Sequence, residues 1–144
     1  MIMAQRKITH RHYGVYGFIL NERAEILVVV KTRGPYTGRY DLPGGSPEEG
    51  ESAEETLTRE IMEETGRKVL QIGSVIEKET TFDYDHTDCL LHTGKVFPCQ
   101  VGPQIHQILL GEDNASAEWL SIETFSTENA TPFLLDSLSL FLQP

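Results

Sequence analysis

The chain has 144 residues, a length typical of one globular domain that buries a full hydrophobic core. Apolar residues make up 39% and charged residues 24%, which fits an ordinary globular protein and excludes a disordered or fibrous one. The formal net charge of −10 would repel a phosphate backbone, so we expect no binding to duplex nucleic acid.

Membrane and secretory features are not evident from the sequence. We find no apolar run of the ~20 residues needed to cross a bilayer, and the N-terminus lacks the apolar segment of a secretory signal. The two cysteines, Cys89 and Cys99, follow neither a metal-ligand nor a disulfide spacing. We therefore expect reduced thiols in a cytoplasmic protein that makes no membrane contact.

Two strands are predicted near the N-terminus, at Tyr13–Leu20 and Glu25–Thr32. Both segments are rich in β-branched and aromatic residues, and four residues that include Asn and Glu separate them. Such a short polar connection favours a β-hairpin. Within the second segment, the run Val28–Val30 predicts a central strand that is covered on both faces.

A turn-rich segment with three cations follows, at residues 31–40. It leads directly into the sequence Leu-Pro-Gly-Gly at residues 42–45, whose glycines allow backbone to approach a ligand closely. The cations are either phosphate contacts or ordinary surface charge. If they contact phosphate, we expect Arg33 and Arg39 to do so before Lys31.

A helix is predicted from about Ser52 to Thr65. Ser52 can cap its N-terminus, and Glu55 three residues later completes a capping box. Gly66 supplies a left-handed C-terminal stop. Apolar residues recur every four positions and give the helix one side to bury: Ala53, Leu57 and Ile61.

The opposite side of this helix carries clustered carboxylates. Glu60, Glu63 and Glu64 are spaced i, i+3, i+4, so their side chains converge and repel one another. Arg59 can offset part of this charge by bridging Glu55 and Glu63. A hard divalent cation such as Mg²⁺ or Mn²⁺, which prefers oxygen ligands, would offset the rest.

The glycine loop and this helix together match the pattern G-x5-E-x7-R-E-U-x-E-E-x-G-U, where U is a bulky apolar residue. The matching residues are Gly45, Glu51, Arg59, Glu60, Ile61, Glu63, Glu64 and Gly66. On these residues the chain resembles the Nudix hydrolases. Arg67 departs from the last apolar position, which affects a packing contact at the helix exit and not the acidic side chains. A solvated, acid-rich surface helix would explain the glutamates but not the glycines and the arginine at fixed offsets.

The resemblance implies a set of roles for these residues. Glu60, Glu63 and Glu64 would hold the metal, with Gly44 and Gly45 bringing backbone close to metal and phosphate. Arg59 would keep the glutamates in position. Glu51, between the glycine loop and the helix, is a further candidate catalytic residue. Family members commonly take one more acidic ligand or base from a later loop, for which Glu112 is the first candidate and Asp113 and Glu118 follow; a plain turn is the competing interpretation. Either Glu60 or Glu112 could act as the general base.

After the motif, a strand pattern runs through Lys68–Glu79. Residues 80–88 hold three aspartates, but their spacing does not match a calcium-binding loop. We expect a solvated loop in which Phe82 or Tyr84 can stack on a nucleobase. In Nudix enzymes that cleave diadenosine polyphosphates, a tyrosine lies at a similar distance after the motif, and Tyr84 resembles it.

The C-terminal third contains further strands and a second helix. Leu90–Val101 reads as a strand that Pro98 interrupts, which indicates an edge position or a bulge. A short strand is predicted at Gln107–Leu110. Thr131 and Pro132 open a helix as N-cap and first helical residue. We expect structural roles for His92 and His106.

Strands that alternate with two helices predict an α/β fold, and the resemblance implies the same: a Nudix-type α/β/α sandwich with a mixed sheet between two helices, formed by residues 1–144 as a single domain. The implied function is Mg²⁺-dependent hydrolysis of a pyrophosphate bond in a nucleoside diphosphate linked to another moiety. Nucleoside triphosphates, nucleotide sugars or ADP-ribose, and dinucleoside polyphosphates all remain open as the small-molecule substrate. The alternative is a non-catalytic Nudix-fold domain that binds or senses a nucleotide, and a homodimer is possible in either case.

Overall fold

The structure is a computed structural model that describes residues 7–83, 87–105 and 114–142. Its strands are β1 (His10–Phe18), β2 (Glu25–Lys31), β3 (Tyr40–Asp41), β4 (Gly44–Gly45), β5 (Arg67–Ile72), β6 (Ile76–Asp83), β7 (Cys89–Gln104) and β8 (Asn114–Ser121). Its helices are α1 (Ala53–Thr65) and α2 (Pro132–Phe141), with a short 3₁₀ turn at Ile122–Thr124. Within the described ranges, neither helix has the length and hydrophobicity needed to cross a bilayer.

The strands form two sheets. The larger, five-stranded sheet has the order β4-β1-β7-β5, with β6 also paired to β7; it is mixed, because β1 and β7 are parallel and the other pairs are antiparallel. The smaller sheet has the antiparallel order β3-β2-β8. The strands therefore lie between two helices as expected, although they are divided between two sheets.

Alternating side chains of β1 and β2 pack against different helices. Val15 and Leu27 lie in one buried cluster with residues of α1, including Leu57. Their strand neighbours lie in the other cluster with residues of α2: Tyr16, Ile26, Val28, Phe133 and Leu134. Since successive side chains of a strand point to opposite faces, this division confirms strands covered on both sides.

The predicted hairpin between the first two strands is wrong. β1 pairs with β4 and β7, whereas β2 pairs with β3 and β8. The chain does reverse between them, since Asn21 N–H donates to the Glu25 carbonyl (3.0 Å) and a single bridge joins Leu20 and Ile26. Leu27 N–H also donates to the Ile19 carbonyl (3.0 Å), and beyond these contacts the two strands separate into different sheets.

β7 is a long central strand, so the edge position suggested by Pro98 is not observed. β1 pairs with one side of β7. On the other side of β7, β6 pairs with its first part and β5 with its last part. The Pro98 carbonyl accepts a hydrogen bond from Gly73 N–H (2.7 Å), in the connection between β5 and β6. Because a residue's N–H and C=O point to the same side of a strand, the missing donor of proline faces this break in the ladder.

Both helices begin as the sequence predicts. The Ser52 hydroxyl accepts from Glu55 N–H and the Glu55 carboxylate accepts from Ser52 N–H, each at 3.1 Å, and Gly66 ends α1 with φ of 70°. Thr131 caps α2 by accepting from Leu134 N–H at 3.2 Å. Arg67, the departure from the pattern, lies over the Trp119 ring at 5.3 Å and donates to the Gly102 carbonyl, so a cation–π contact occupies the helix exit.

Candidate active site

Arg59 on α1 connects three carboxylates. It donates two hydrogen bonds to Glu51, from Nε at 2.7 Å and from Nη2 at 2.9 Å, and its Nη1 lies 2.8 Å from Glu60 and 3.3 Å from Glu63. The expected partner Glu55 is used instead in the capping box, so the bridge runs to Glu51, in the loop that precedes the helix. This paired geometry is the strong form of an arginine–carboxylate contact.

Glu51 is the fixed end of this arrangement. Its Oε1 also accepts from the Thr56 hydroxyl (3.0 Å) and from Glu48 N–H (2.8 Å). The hydrogen-bonded Arg59 guanidinium lowers the pKa of Glu51 to about 2, and the same contact raises the pKa of Arg59. Both groups are therefore fully charged at neutral pH, and Arg59 has a fixed position beside Glu60.

Glu60 and Glu64 converge at the wall of a cavity of about 580 Å³. The Glu60 side chain is 15% exposed, and Glu64 lies against the glycine loop, where it accepts from Gly44 N–H at 3.4 Å. Burial raises the pKa of Glu64 well above its usual range, and the neighbouring Glu60 raises it further. Glu63 is 56% exposed and does not line this cavity, although Arg59 joins it to the other two.

The glycine loop fits closely between β1 and α1. At Gly44, φ is 154° and an added Cβ would collide with the Val15 carbonyl. At Gly45, an added Cβ would lie 2.6 Å from the carboxylate carbon of Glu60. The two glycines therefore leave room for the backbone of β1 on one side and for the Glu60 carboxylate on the other.

The donor set fits a hard divalent cation. Across the described ranges, no three acidic, histidine or cysteine side chains are grouped closely enough to form a complete metal cluster. However, Mg²⁺ keeps several waters and needs only one or two protein carboxylates beside substrate phosphates. Glu60 and Glu64 supply that pair, and a bound cation would favour the charged form of Glu64, whose pKa is raised first by burial and then by Glu60.

Basic and aromatic side chains line the same cavity as the two carboxylates. They are His10, Arg11, His12, Lys31 and Arg33, together with Tyr16 and Tyr36. A cavity that combines cations, carboxylates and a glycine loop is suited to a metal-bound anion.

Comparison with known proteins identifies the family. The sequence model of the NUDIX domain matches residues 10–141, which is nearly the whole chain. The chain belongs to the Nudix family. Nudix hydrolase 6 of Arabidopsis thaliana is 32% identical over 123 residues, covering 81% of this chain and 41% of that protein. A putative 8-oxo-dGTP diphosphatase of Bacillus subtilis is 49% identical over 53 residues, covering 37% of this chain and 34% of that protein.

These curated Nudix relatives are longer than the chain, which spans well under half of their length. Solved structures agree on the fold. A MutT Nudix hydrolase from Burkholderia pseudomallei superposes with a TM-score of 0.67 at 18% identity, over 90% of this chain and 97% of that one. A Nudix hydrolase from Nitrosomonas europaea also gives 0.67, at 23% identity, over 90% and 86%. At such identities the likeness shows the Nudix fold alone.

Several residues predicted to contact substrate lie away from this cavity. Arg39 donates to the carbonyls of Thr127 (2.7 Å) and Ala130 (3.0 Å), and it lies 5.2 Å over the Phe82 ring. Phe82 belongs to β6, not to a loop, and packs against Tyr36. Both side chains thus hold the 31–40 segment in place.

The remaining candidate residues either lie away from the cavity or fall outside the described ranges. Glu118 is exposed on β8 and does not line the cavity. The other predicted residues and the strand predicted at 107–110 lie outside the described ranges: Tyr84, His106, Glu112 and Asp113. Their predicted roles stay predictions.

A buried histidine supports the aromatic part of the cavity. His92 Nε2 lies 2.7 Å from the Tyr16 hydroxyl and Nδ1 lies 3.1 Å from the Tyr36 hydroxyl, while the ring stacks on Phe133 at 3.9 Å. Burial lowers the pKa of His92 to about 3, so the ring is neutral and both nitrogens are used. This confirms a structural role for His92.

Sequence reasoning missed part of this Nudix site. The sequence predicts a core strand at Tyr16 and a turn-rich segment at Tyr36. It favours Arg33 and Arg39 over Lys31 as phosphate contacts. One local signal favours Lys31 as a site residue. It directly follows the buried run that ends at Val30, so its side chain lies at the end of a central strand. The tyrosines give no such signal, because their partner His92 is distant in sequence.

Proposed function

We propose that this Nudix chain acts as a single domain that hydrolyses a pyrophosphate bond in a nucleoside diphosphate linked to another moiety, with Mg²⁺ as cofactor and Mn²⁺ as a substitute. One observation carries the proposal: Glu60 and Glu64 meet beside the Gly44–Gly45 loop, in a cavity that Arg11, Lys31 and Arg33 also line. Carboxylates for a metal and cations for phosphate are what a diphosphate substrate requires.

Each residue has a distinct task in this proposal. Glu60 and Glu64 hold the cation, which when bound supplies positive charge to phosphate oxygens and lowers the pKa of water. Glu63, at the rim, contributes through Arg59 and through water. Arg59, fixed by Glu51, keeps Glu60 turned towards the cavity. Glu60 is our candidate for the general base among the described residues, with Glu112 as the alternative.

The names of related proteins support this substrate class. One relative is named a putative 8-oxo-dGTP diphosphatase, and an ADP-ribose pyrophosphatase of Methanocaldococcus jannaschii is 44% identical over 48 residues. Both names describe nucleotides that contain a diphosphate. They differ in the group beyond it, so nucleoside triphosphates, nucleotide sugars or ADP-ribose, and dinucleoside polyphosphates are all to be tested.

A product screen over these three classes tests the proposal. The purified chain is incubated with each nucleotide and Mg²⁺, and products are separated by ion-exchange chromatography. We expect a nucleoside monophosphate and a phosphorylated remainder from at least one class, and no product when EDTA replaces Mg²⁺. Binding of a nucleotide without any product would contradict the proposal and favour a sensor domain.

A further inference from the structure

A buried carboxylate lies next to one of the cations that line the cavity. Asp41 on β3 is 0% exposed, and its Oδ1 accepts from Leu42 N–H (2.8 Å) and from the Thr131 hydroxyl (2.7 Å). Its other oxygen, Oδ2, has no hydrogen-bond partner, and Lys31 Nζ lies 3.7 Å from it. The carboxylate is thus held on one side and directed at a lysine on the other.

Stability alone does not explain this pair. Removing a carboxylate from water is costly, and well-packed apolar residues often stabilise a protein as much as a buried ion pair does. Asp41 also has an oxygen that lacks a hydrogen bond, which adds to the cost. A buried acid retained under these conditions calls for a role beyond packing.

Lys31 connects the buried carboxylate to the cavity. It is the last residue of β2, its side chain is 18% exposed, and it lines the same cavity as Glu60 and Glu64. A lysine side chain is a flexible stem with a compact charge, so its position depends on its partners. Without a carboxylate behind it, this charge would be drawn to Glu64 and would compete with the metal.

We propose that Lys31 binds the diphosphate of the substrate and that Asp41 acts as its positioning residue, holding the ammonium group in the cavity that Glu60 and Glu64 also line. This inference rests on the proposed function. It adds Lys31 as a specific phosphate contact. It also assigns a role to Asp41, a buried acid that lies outside the Nudix motif.

The first test uses single substitutions on the best substrate from the product screen. Lys31→Met should raise KM about 10-fold or more with kcat changed by less than about threefold, because a charge-assisted contact present in both ground and transition states is lost. Lys31→Arg should recover most of this loss. Calorimetric binding of α,β-methylene-ATP with Mg²⁺ should weaken in Lys31→Met by a similar factor.

The second test asks whether Asp41 acts through Lys31. Asp41→Asn keeps the shape of the side chain and should also raise KM. In the Lys31→Met background, however, Asp41→Asn should add no further rise, since residues that act as one unit are not additive. Should Asp41→Asn fail to fold, Thr131→Val removes one bond to the carboxylate and should give a smaller rise that also disappears in that background.

A matched ion pair elsewhere provides the control. Lys78 Nζ lies 3.4 Å from Asp136 Oδ2, joining β6 to α2, and neither residue lines the cavity. Lys78→Met and Asp136→Asn should leave KM and analogue binding unchanged. They therefore separate a general effect of losing a lysine–aspartate pair from a contact with substrate.

The outcomes distinguish this inference from the proposed function. If the wild-type chain yields no product but binds the analogue, the activity is wrong, and the Lys31 contact is still judged by the binding data. If KM and analogue affinity are both unchanged in Lys31→Met, the inference is overturned. It is overturned equally if the full effect of Asp41→Asn persists when Lys31 is absent.

Discussion

At the scale of single residues, Arg59 determines how the acidic side chains share positive charge. Its guanidinium contacts Glu51, Glu60 and Glu63, while Glu64 receives a backbone N–H from Gly44. The arginine contacts therefore fall on one side of the cluster, and the half-buried Glu64 has a raised pKa. In the proposed function, a divalent cation would compensate charge at that place, which Arg59 does not reach.

Substitution of Gly45 tests whether kcat depends on the position of the Glu60 carboxylate. Gly45→Ala should lower kcat by about 10- to 100-fold, because the new Cβ displaces the Glu60 carboxylate and small misplacements at a reaction centre are costly. The free energy of unfolding should change by less than about 1 kcal/mol, since the displaced atoms belong to the end of a flexible side chain.

Gly50 serves as the matched control for this glycine. It has φ of 81° and no atom within 4 Å of an added Cβ, so Gly50→Ala should cost about 1 kcal/mol of stability through backbone strain and leave kcat unchanged. Steady-state kinetics and urea unfolding measure both effects. Equal losses of kcat in the two variants would contradict a specific role for the space at Gly45.

His92 predicts a loss of stability in acid. Its pKa is about 3 in the folded protein and near 6.5 in an unfolded chain, so between these values the unfolded state binds the extra proton. The contribution of His92 to the free energy of unfolding is therefore fully present above about pH 6.5 and is lost as the pH is lowered towards 3. Between pH 7.5 and 4.5 we expect His92 to account for about 3 kcal/mol of the loss.

Urea unfolding of the wild type and of His92→Gln at both pH values measures this contribution. Glutamine can still pair with the tyrosine hydroxyls but does not titrate, so the variant should lose about 3 kcal/mol less than the wild type on acidification. An identical loss in the two proteins would show that other groups cause the acid sensitivity.

At the scale of elements, local signals predicted α1 well and strand partners poorly. The cap residues Ser52, Glu55 and Gly66 act within a few residues of the helix ends, so the sequence contains all that is needed to locate them. The partner of β1 is β7, whose paired residues lie about 80 positions later. No local pattern specifies such a pairing, and for this reason the predicted hairpin failed although its turn was present.

The capping box offers a direct test at this scale. Ser52→Ala removes the hydroxyl that accepts from Glu55 N–H and should lower the free energy of unfolding by about 1 kcal/mol. The measurement is urea unfolding, with Ser74→Ala as control, because Ser74 is exposed in the connection between β5 and β6. If both variants were equally stable, the cap would contribute nothing to the helix.

At the scale of the whole molecule, the cavity forms where elements from separate parts of the chain meet. β1, the end of β2, the glycine loop and α1 each contribute to its lining. The acidic part of the lining was predictable because Gly45, Arg59, Glu60 and Glu64 are close in sequence, as is Glu51, which fixes Arg59. The cationic and aromatic part was only partly predictable, since Lys31, Tyr16 and His12 come together through tertiary packing between the two helices.

The central claim is that Glu64 and Glu60 hold a divalent cation against a diphosphate, and the kcat of Glu64→Gln with Mg²⁺ tests it most directly. The control is Glu54→Gln, which changes an exposed glutamate in the first turn of the same helix. We predict a loss of tens-fold or more in kcat for Glu64→Gln, because charge stabilisation at the reaction centre is removed, and wild-type activity for the control. A folded Glu64→Gln protein with unchanged kcat would contradict the account.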